Sequence, residues 1–487
     1  MDPVSVLLSI VICIFIFKVF YGGNKESQNF PPGPKPLPLI GNLHMINMKK
    51  PHLTFMELAE KFGSVFSFHF GTEKFVVLCN ADTVKDALIN YADEFSGRPA
   101  IPVFDKTTKG HGIFFANGEN WKVMRRFTIS TLRDFGMGKK TMEDRICEES
   151  EFLKQVFESY KGKPFDNTII MNAAVANIIV HILLNHRFDY DDATLKNLIS
   201  IVSENISFAA KPIVLLYNAY PSILQWIPGS HKSVTKNMIK LYNFLRETFT
   251  KHRDQLDVND QRDLIDVFLV KQQEESSSTK FFHDQNLTVL LADLFGAGME
   301  TTSTTLRWGL LFMMKYPEVQ KKVQDEIDRV IGSAQPRLAH RKQMPYTEAV
   351  IHEIQRLGNL APNVGHETTK DVTFRGYFIP KGTQVIILLT SVLQDKAYFK
   401  KPEEFYPEHF LDSEGKFVKN DAFLPFSAGR RSCAGETLAK MELFLFFTKL
   451  LQNFTFQSPP GVEVDLTSAD ALTSKPVDHK ICALPRN

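Results

Sequence analysis

Apolar side chains recur along this chain mainly at helical intervals. The stretches Met142 to Tyr160, Ser230 to Arg253 and Glu318 to Ile331 place them at three- and four-residue steps, and each predicts a helix. A longer run, from about Asn286 to Lys315, is closed by Pro317. At 1.5 Å per residue it is long enough to cross a whole domain. Glu436 to Leu451 (ETLAKMELFLFFTKLL) is apolar enough for a buried helix. Strand-like alternation is confined to short pieces. Ser64 to Phe70 alternates, Gly71-Thr72 marks a turn, and Phe75 to Cys79 follows as a second strand. Val372 to Leu389 predicts a further hairpin, turning at Pro380-Lys381-Gly382. The pattern predicts a mainly α fold with a minor β portion.

The first residues depart from this pattern. Val4 to Phe17 (VSVLLSIVICIFIF) carries no charge, Lys18 interrupts it, and Val19, Phe20 and Tyr21 extend it. That is one transmembrane helix for a thin bilayer, with Lys18 snorkelling to the interface. A cleaved signal peptide favours a positive start, whereas Met1-Asp2-Pro3 offers an acid and no base. Lys18 and Lys25 follow the run, which places the bulk of the chain on the cytosolic side. Next comes PPGPKPLPLIGNL, Pro31 to Leu43, whose prolines fix an extended, stiff path. Leu37, Leu39 and Ile40 are expected to pack it against the globule. The expected organisation is an anchor over 1–21, a proline-rich linker over 22–43 and one domain over 44–487. Glu274 to Lys280 (EESSSTK) reads as a polar surface loop inside that domain.

Composition narrows the class. The 487 residues are 44% apolar and 23% charged, an ordinary globular balance that allows a large core. A net charge of +2 gives no argument for nucleic acid as a partner. The 41 phenylalanines suit a thick apolar interior or a pocket for apolar ligands. Cys13, Cys79, Cys147, Cys433 and Cys482 show no metal-finger spacing, and an odd number makes no disulfide framework, which points to a reducing compartment.

One cysteine sits in an unusual place. FSAGRRSCAG, Phe426 to Gly435, sets Cys433 in a glycine- and arginine-rich loop just before the buried helix. Free N–H groups and the positive end of that helix favour a thiolate by about 0.5–2 kcal/mol. Arg431 adds positive charge. A nucleophile here needs a nearby base, and none is signalled; a lone thiolate ligand suits haem iron. Phe426, Gly429, Arg431, Cys433 and Gly435 match the F-x-x-G-x-R-x-C-x-G loop, and the chain resembles the cytochrome P-450 family of haem-thiolate monooxygenases. Further family signatures recur in order across nearly the whole chain. With its anchor and proline spacer it looks like a microsomal animal member, most similar to the second family, which handles drugs, fatty acids and steroids. The resemblance implies the cytochrome P-450 fold over 44–487 and haem b with an axial Cys433 thiolate, with Phe426 and Gly435 at the cofactor.

The other signatures take their roles from the same resemblance. In Ala297-Gly298-Met299-Glu300-Thr301-Thr302, Ala297 and Thr301 share a helix face, with Asp293 one turn earlier. Gly298 weakens the helix locally and is expected to let it open. Leu294, Phe295, Leu306, Trp308 and Leu310 crowd the pair too densely for a solvated face. In the resembled family an acid–alcohol pair relays protons during oxygen activation, which implies catalytic roles for Glu300 and Thr301 and puts Ala297 at the cofactor. Glu353 and Arg356 are three apart on one helical face and are implied to form a buried ion pair propping the cysteine loop. Its usual arginine partner lies in a P-E-R-F segment; Pro407-Glu408-His409-Phe410 has His409 instead. Trp121 and Arg125 are four apart and share a face. By resemblance Arg125 holds a haem propionate with Trp121 beside it, and Arg98, His366 and Arg431 are further propionate partners. The segment Ala361 to Gly365 before His366 is one residue shorter than the usual pattern.

The function implied is a membrane-bound monooxygenase that inserts one atom of O2 into apolar small molecules: fatty acids, steroids or xenobiotics. Electrons come from NADPH through a cytochrome P-450 reductase, with cytochrome b5 as a further partner. The implied location is the endoplasmic reticulum membrane, with the catalytic domain facing the cytosol. Lys122, Arg126, Arg430 and Lys440 are expected to form a basic docking face. Expected substrate contacts are Phe104, Phe114, Phe208, Asp293, Ala297, Val364 and Leu472. Two alternatives stand beside this reading. One is a haem-thiolate isomerase or dehydratase of peroxides, whose members often lack the acid–threonine pair. The other is a haem carrier or sensor without turnover.

Overall fold

The computed structural model describes residues 29–274, 280–469 and 471–486. The anchor expected over 1–21 and most of the polar loop at 274–280 lie outside them. Long helices dominate: α1 (Pro51–Phe62), α2 (Gly118–Asp134), α3 (Lys140–Ser159), α4 (Thr168–Leu184), α5 (Ala193–Ala209), α6 (Ser230–Asp254), α7 (Asp284–Lys315), α8 (Pro317–Val330), α9 (Pro345–Gly358) and α10 (Glu436–Asn453). Proline at the first position starts α1, α8 and α9, where the missing N–H costs nothing. The strands are β1 (Val65–Phe70), β2 (Glu73–Leu78), β3 (Val364–Glu367), β4 (Val372–Phe374), β5 (Tyr377–Ile379) and β6 (Gln384–Ile387), with shorter pairs near the C-terminus. Among the described residues no single helix is long and apolar enough to cross a membrane.

The largest core forms around α7, which at 32 residues is about 48 Å long. It packs along α4, which is apolar on almost every face and accordingly buried. The two helices pack tightly at Gly298, where an added Cβ would stand 3.2 Å from Ile179 Cγ1. The glycine is therefore explained by helix–helix packing, and α7 runs through it unbroken, rather than opening there as expected. Helix α10 lies against both α3 and α7 and carries the cysteine loop at its N-terminal end.

The sheet differs from expectation at one connection. β1 and β2 form the expected hairpin, with Phe70 opposite Glu73. Val372 to Leu389, however, is not one hairpin turning at 380–382. β4 and β5 turn at Arg375-Gly376, both with positive φ (48° and 86°), as a tight hairpin of the twisted type requires. β6 then leaves this pair and runs parallel to β2, with Phe75 opposite Gln384, giving the order β1-β2-β6-β3. Alternation alone does not say which neighbour a strand chooses. The proline-rich stretch does lie against this sheet, but through its backbone: Ser67 N–H donates to the Pro32 carbonyl at 2.7 Å. Leu37, Leu39 and Ile40 remain 46%, 49% and 42% exposed, contrary to the packing expected of them.

Candidate functional site

The cysteine loop is held by backbone contacts that leave no room for other residues. Gly429 has φ 71°, and a Cβ there would lie 1.8 Å from the Leu88 carbonyl oxygen. Cys433 N–H donates to the Phe426 carbonyl at 3.0 Å, closing the turn. Gly435 caps α10, and the N–H groups of Gly435 and Glu436 face the cysteine sulfur. Burial raises the Cys433 thiol above its ordinary pKa; these two N–H groups and Arg125 oppose the rise. The helix end thus softens the burial penalty without reversing it, a weaker effect than the loop's position suggests. Cys433 keeps accessible surface although its sulfur is enclosed by protein, as a group lining an internal cleft does.

Four basic residues converge around this loop. Arg125, on α2, donates to the Ser432 carbonyl at 2.6 Å. Arg431 donates to the carbonyls of Ser96 (2.7 Å) and Ala116 (2.8 Å), and its guanidinium lies 3.7 Å over the Trp121 ring, a cation–π contact. Arg98 donates to the Gly365 carbonyl. His366 bonds through Nδ1 to the Phe95 carbonyl at 2.6 Å. Asn117 ties the group together: its Oδ1 accepts from Arg98 N–H and Arg431 Nη2, and its Nδ2 donates to the Arg98 carbonyl. Asn117 precedes α2 but caps nothing there, because its side chain is engaged in this way. No motif singles it out in the sequence.

The three arginines and His366 have no acid partner among the described residues. Burial, then Arg98 and Arg125, lowers Arg431 to about 9. Burial and then Arg125 lowers Arg98 to about 10, and burial and then Arg98 lowers His366 to about 3. Arg98 Nε, Arg431 Nη1 and His366 Nε2 are buried without a hydrogen-bond partner among the described residues. A cluster of this kind suits an anionic group of two or more oxygens. The site therefore fits a haem whose propionates meet these side chains and whose iron meets Cys433.

Behind the loop lies a second buried charge system. Arg356 uses all five of its N–H donors: two to Glu353 (2.7 and 2.8 Å) and three to the carbonyls of Leu393, Pro402 and Glu404. Both partners are fully buried. His409 accepts from Lys401 N–H at Nε2 (3.1 Å), so its Nδ1 carries the proton it donates to Glu353 (3.2 Å). His409 here is the neutral tautomer, and the cluster is a one-to-one ion pair.

On α7, Glu300 is 3% exposed and accepts from Ser203 Oγ of α5 at 3.1 Å. The Thr301 hydroxyl donates back to the Ala297 carbonyl at 2.6 Å. Ala297 is exposed between half-buried Gly296 and Gly298, on a helix whose Phe295 and Met299 are buried, so it faces an opening in the fold. Asp293 is already engaged: its Oδ2 accepts from Ile113 N–H (2.9 Å) and Phe114 N–H (3.0 Å). Its carboxyl is enclosed and pushed up to about 6 by burial, although the residue as a whole is only half-buried. Asp293 thus clamps the loop that carries Phe114. Phe114 and Leu472 are 50% and 55% exposed, and Val364 is half-buried on the same strand face as His366. Phe104 and Phe208 are partly buried against a satellite cluster with Val103, Val214 and Tyr217, and Phe104 stacks on Phe115 with ring centroids 5.2 Å apart. A pocket of about 210 Å³ is bordered by Ala100, Ile101, Phe115 and Asn117, beside the basic cluster. Of the expected docking face, Lys122, Arg430 and Lys440 are each paired with an acid: Glu119, Asp93 and Glu436.

Comparison with known proteins agrees with this geometry. Residues 31–483 match the family model described as Cytochrome P450. Cytochrome P450 2K1 of Oncorhynchus mykiss is 47% identical, over 100% of this chain and 98% of that protein. Cytochrome P450 2B19 of Mus musculus is 44% identical over 99% of both, and Cytochrome P450 2C5 of Oryctolagus cuniculus is 44% identical over 100% of both.

Proposed function

The chain belongs to the cytochrome P450 family, as a haem monooxygenase of the second family and an oxidoreductase, and from that premise we propose that it oxidises apolar small molecules at a membrane with reductase-supplied electrons. The carrying observation is the buried, acid-free cluster of Arg98, Arg125, His366 and Arg431 around the Cys433 loop, with three orphaned nitrogens. When bound, the haem supplies the oxygen-activating redox chemistry. Cys433 would hold its iron, with the Gly435 and Glu436 N–H groups steadying the sulfur's charge. The four basic residues would hold the propionates, and Trp121 braces Arg431 from behind. The Glu353–Arg356–His409 group keeps the segment leading to the loop in place.

Glu300 and Thr301 are the proposed proton-handling pair. Thr301 Oγ1 spends its proton on the Ala297 carbonyl and presents lone pairs to the cleft. Glu300 lies enclosed one residue away, held by the Ser203 hydroxyl. Ala297, Val364, Phe114 and Leu472 offer apolar surface to a substrate, and Asp293 holds the Phe114 loop. Fatty acids, steroids and xenobiotics remain the proposed substrate classes. NADPH–cytochrome P-450 reductase and cytochrome b5 are the proposed donors. The proposed location is the endoplasmic reticulum membrane, with a domain over 44–487. Ile223, Trp226 and Ile227 are 66%, 78% and 43% exposed, and the Tyr220 hydroxyl donates to the Leu39 carbonyl, joining this patch to exposed Leu37, Leu39 and Ile40. Such a contiguous apolar surface suits a bilayer interface.

The test is absorption of the reduced, carbon monoxide-treated protein, followed by oxygen uptake with NADPH, reductase and an apolar substrate. A far-shifted Soret band with reductase-dependent uptake is expected. Hydroperoxide turnover without such uptake would establish the isomerase reading, which the retained Glu300–Thr301 pair disfavours.

A further inference from the structure

Two turns beyond Glu300 on α7, and on the same stripe, stands Arg307, about 10.5 Å further along the helix axis. Ser303 and Thr304 lie between them and are buried. Arg307 is 3% exposed, yet its Nε and Nη2 have no partner among the described residues. The charges it senses are Asp166, Glu300 and Asp478. Asp166 and Asp478 are exposed, Glu300 is buried, and Arg307 is the charge between them.

The same region collects further orphaned polar atoms. Asn167 is completely buried, and neither its Oδ1 nor its Nδ2 is bonded among the described residues. It stands at the cap position of α4, but the capping bond there is made by Asp166, whose Oδ1 accepts from Thr168 N–H at 2.8 Å. The Thr168 hydroxyl is buried and unbonded too. His479 uses Nδ1 on the Val477 carbonyl (2.8 Å), which leaves Nε2 buried and unbonded. Paired backbone bonds between Phe165 and Ile481 (3.0 and 2.9 Å) pin the start of α4 to this C-terminal segment. His479 also feels the charges of Arg307, Asp166 and Asp478, so the groups are neighbours. Left bare, each orphaned atom would forgo the hydrogen bonds it makes in water. Clustered polar atoms of this kind are the setting in which internal water is bound, at about three hydrogen bonds per molecule.

We propose that Arg307 is a positioning residue for Glu300, and that with Asn167, Thr168 and His479 it holds a chain of ordered water that carries protons from the Asp166–Asp478 surface to the Glu300 carboxylate. The inference rests on the monooxygenase reading and on Glu300 as its proton donor. That reaction consumes two protons and two electrons per O2, leaving one oxygen in the product and one in water. Each proton enters from solvent, passes along the water chain, adds to a Glu300 oxygen and is handed on from there. The carboxylate is restored after each transfer. Ser203 holds one Glu300 oxygen, and the Arg307 charge orients the water approaching the other.

The test uses full-length protein carrying Arg307→Met, Arg307→Lys, Asn167→Leu or Thr168→Val. The last two leave every ion pair intact and cover the case in which Arg307→Met fails to fold. First, long-lived internal water is counted by oxygen-17 water relaxation, without turnover; Asn167→Leu and Thr168→Val should each lose signal. Second, with the carbon monoxide band at wild-type intensity, product formed per NADPH should fall about threefold or more, hydrogen peroxide should rise to match, and the solvent deuterium effect on product formation should grow. The fall stays well short of the ~100-fold of a lost general acid. Arg307→Lys should recover most of the coupling. Unchanged internal water, or unchanged coupling and isotope effect in folded Asn167→Leu and Thr168→Val, overturns the proposal. Failure of the wild-type protein to show the band or reductase-dependent uptake would instead overturn the monooxygenase reading.

Discussion

At the scale of single residues, His409 shows how a position changes chemistry while keeping its place. An arginine there would add a second full charge around Glu353; the neutral histidine gives one hydrogen bond and accepts another from Lys401. The two kinds of partner are expected to separate in a stability measurement. His409→Leu should cost about 1–3 kcal/mol, the range for an unmet buried hydrogen bond. Arg356→Met should cost about 3–5 kcal/mol, because it strands a buried carboxylate. Denaturant unfolding of the two variants checks this, and equal losses would contradict it. The residues of this group were legible because the E-x-x-R spacing and the P-E-H-F segment stand out as patterns. Asn117 and Ser203 were not, since a lone asparagine or serine carries no spacing signal, and their roles come from partners that are distant in sequence.

At the scale of elements, α7 is where expectation and structure meet most closely and where one contact changes the account. Its length and its buried Glu300 follow from the apolar pattern interrupted by polar pairs. The role of Asp293 does not, because its partners are backbone N–H groups of a loop 180 residues earlier. Its raised pKa makes a testable statement about pH. The folded protein holds the Asp293 proton up to about 6, whereas an unfolded carboxyl loses it near 4. Between those values the folded state binds more protons, so stability falls as pH rises through this window. The contribution is about 3 kcal/mol between its ends. Asp293→Asn keeps an acceptor for Ile113 and Phe114 and should flatten the profile between about pH 4 and 6. Thermal unfolding across that range measures it; an unchanged slope would refute the assignment. The strands were less legible than the helices. Period-two alternation found β1, β2 and β6, but a parallel pairing between β2 and β6 is decided by what packs on the sheet, and no local signal marks it.

At the scale of the whole molecule, the apolar patch around Ile223, Trp226 and Ile227 gives a prediction about the surface rather than the core. Trp226 is 78% exposed and belongs to no buried cluster, so changing it should leave folding untouched. Trp226→Ser with Ile223→Ser should preserve the unfolding midpoint and weaken attachment to lipid vesicles, which co-sedimentation measures. Undiminished attachment would locate the bilayer contact elsewhere. The mainly helical architecture and the family were both readable from motifs spread over the chain. The binding of the proline-rich stretch was readable only in part: it does meet the globule, but by a backbone bond to Ser67, since its leucines stay in solvent.

Arg431 reaches carbonyl groups at Ser96 and Ala116 that lie more than three hundred residues upstream. A ribosome finishes those early segments long before it makes the arginine and the cysteine that complete them. The nascent protein must therefore stand open at its centre for most of its synthesis, and pigment capture belongs to the last moments of translation or afterwards.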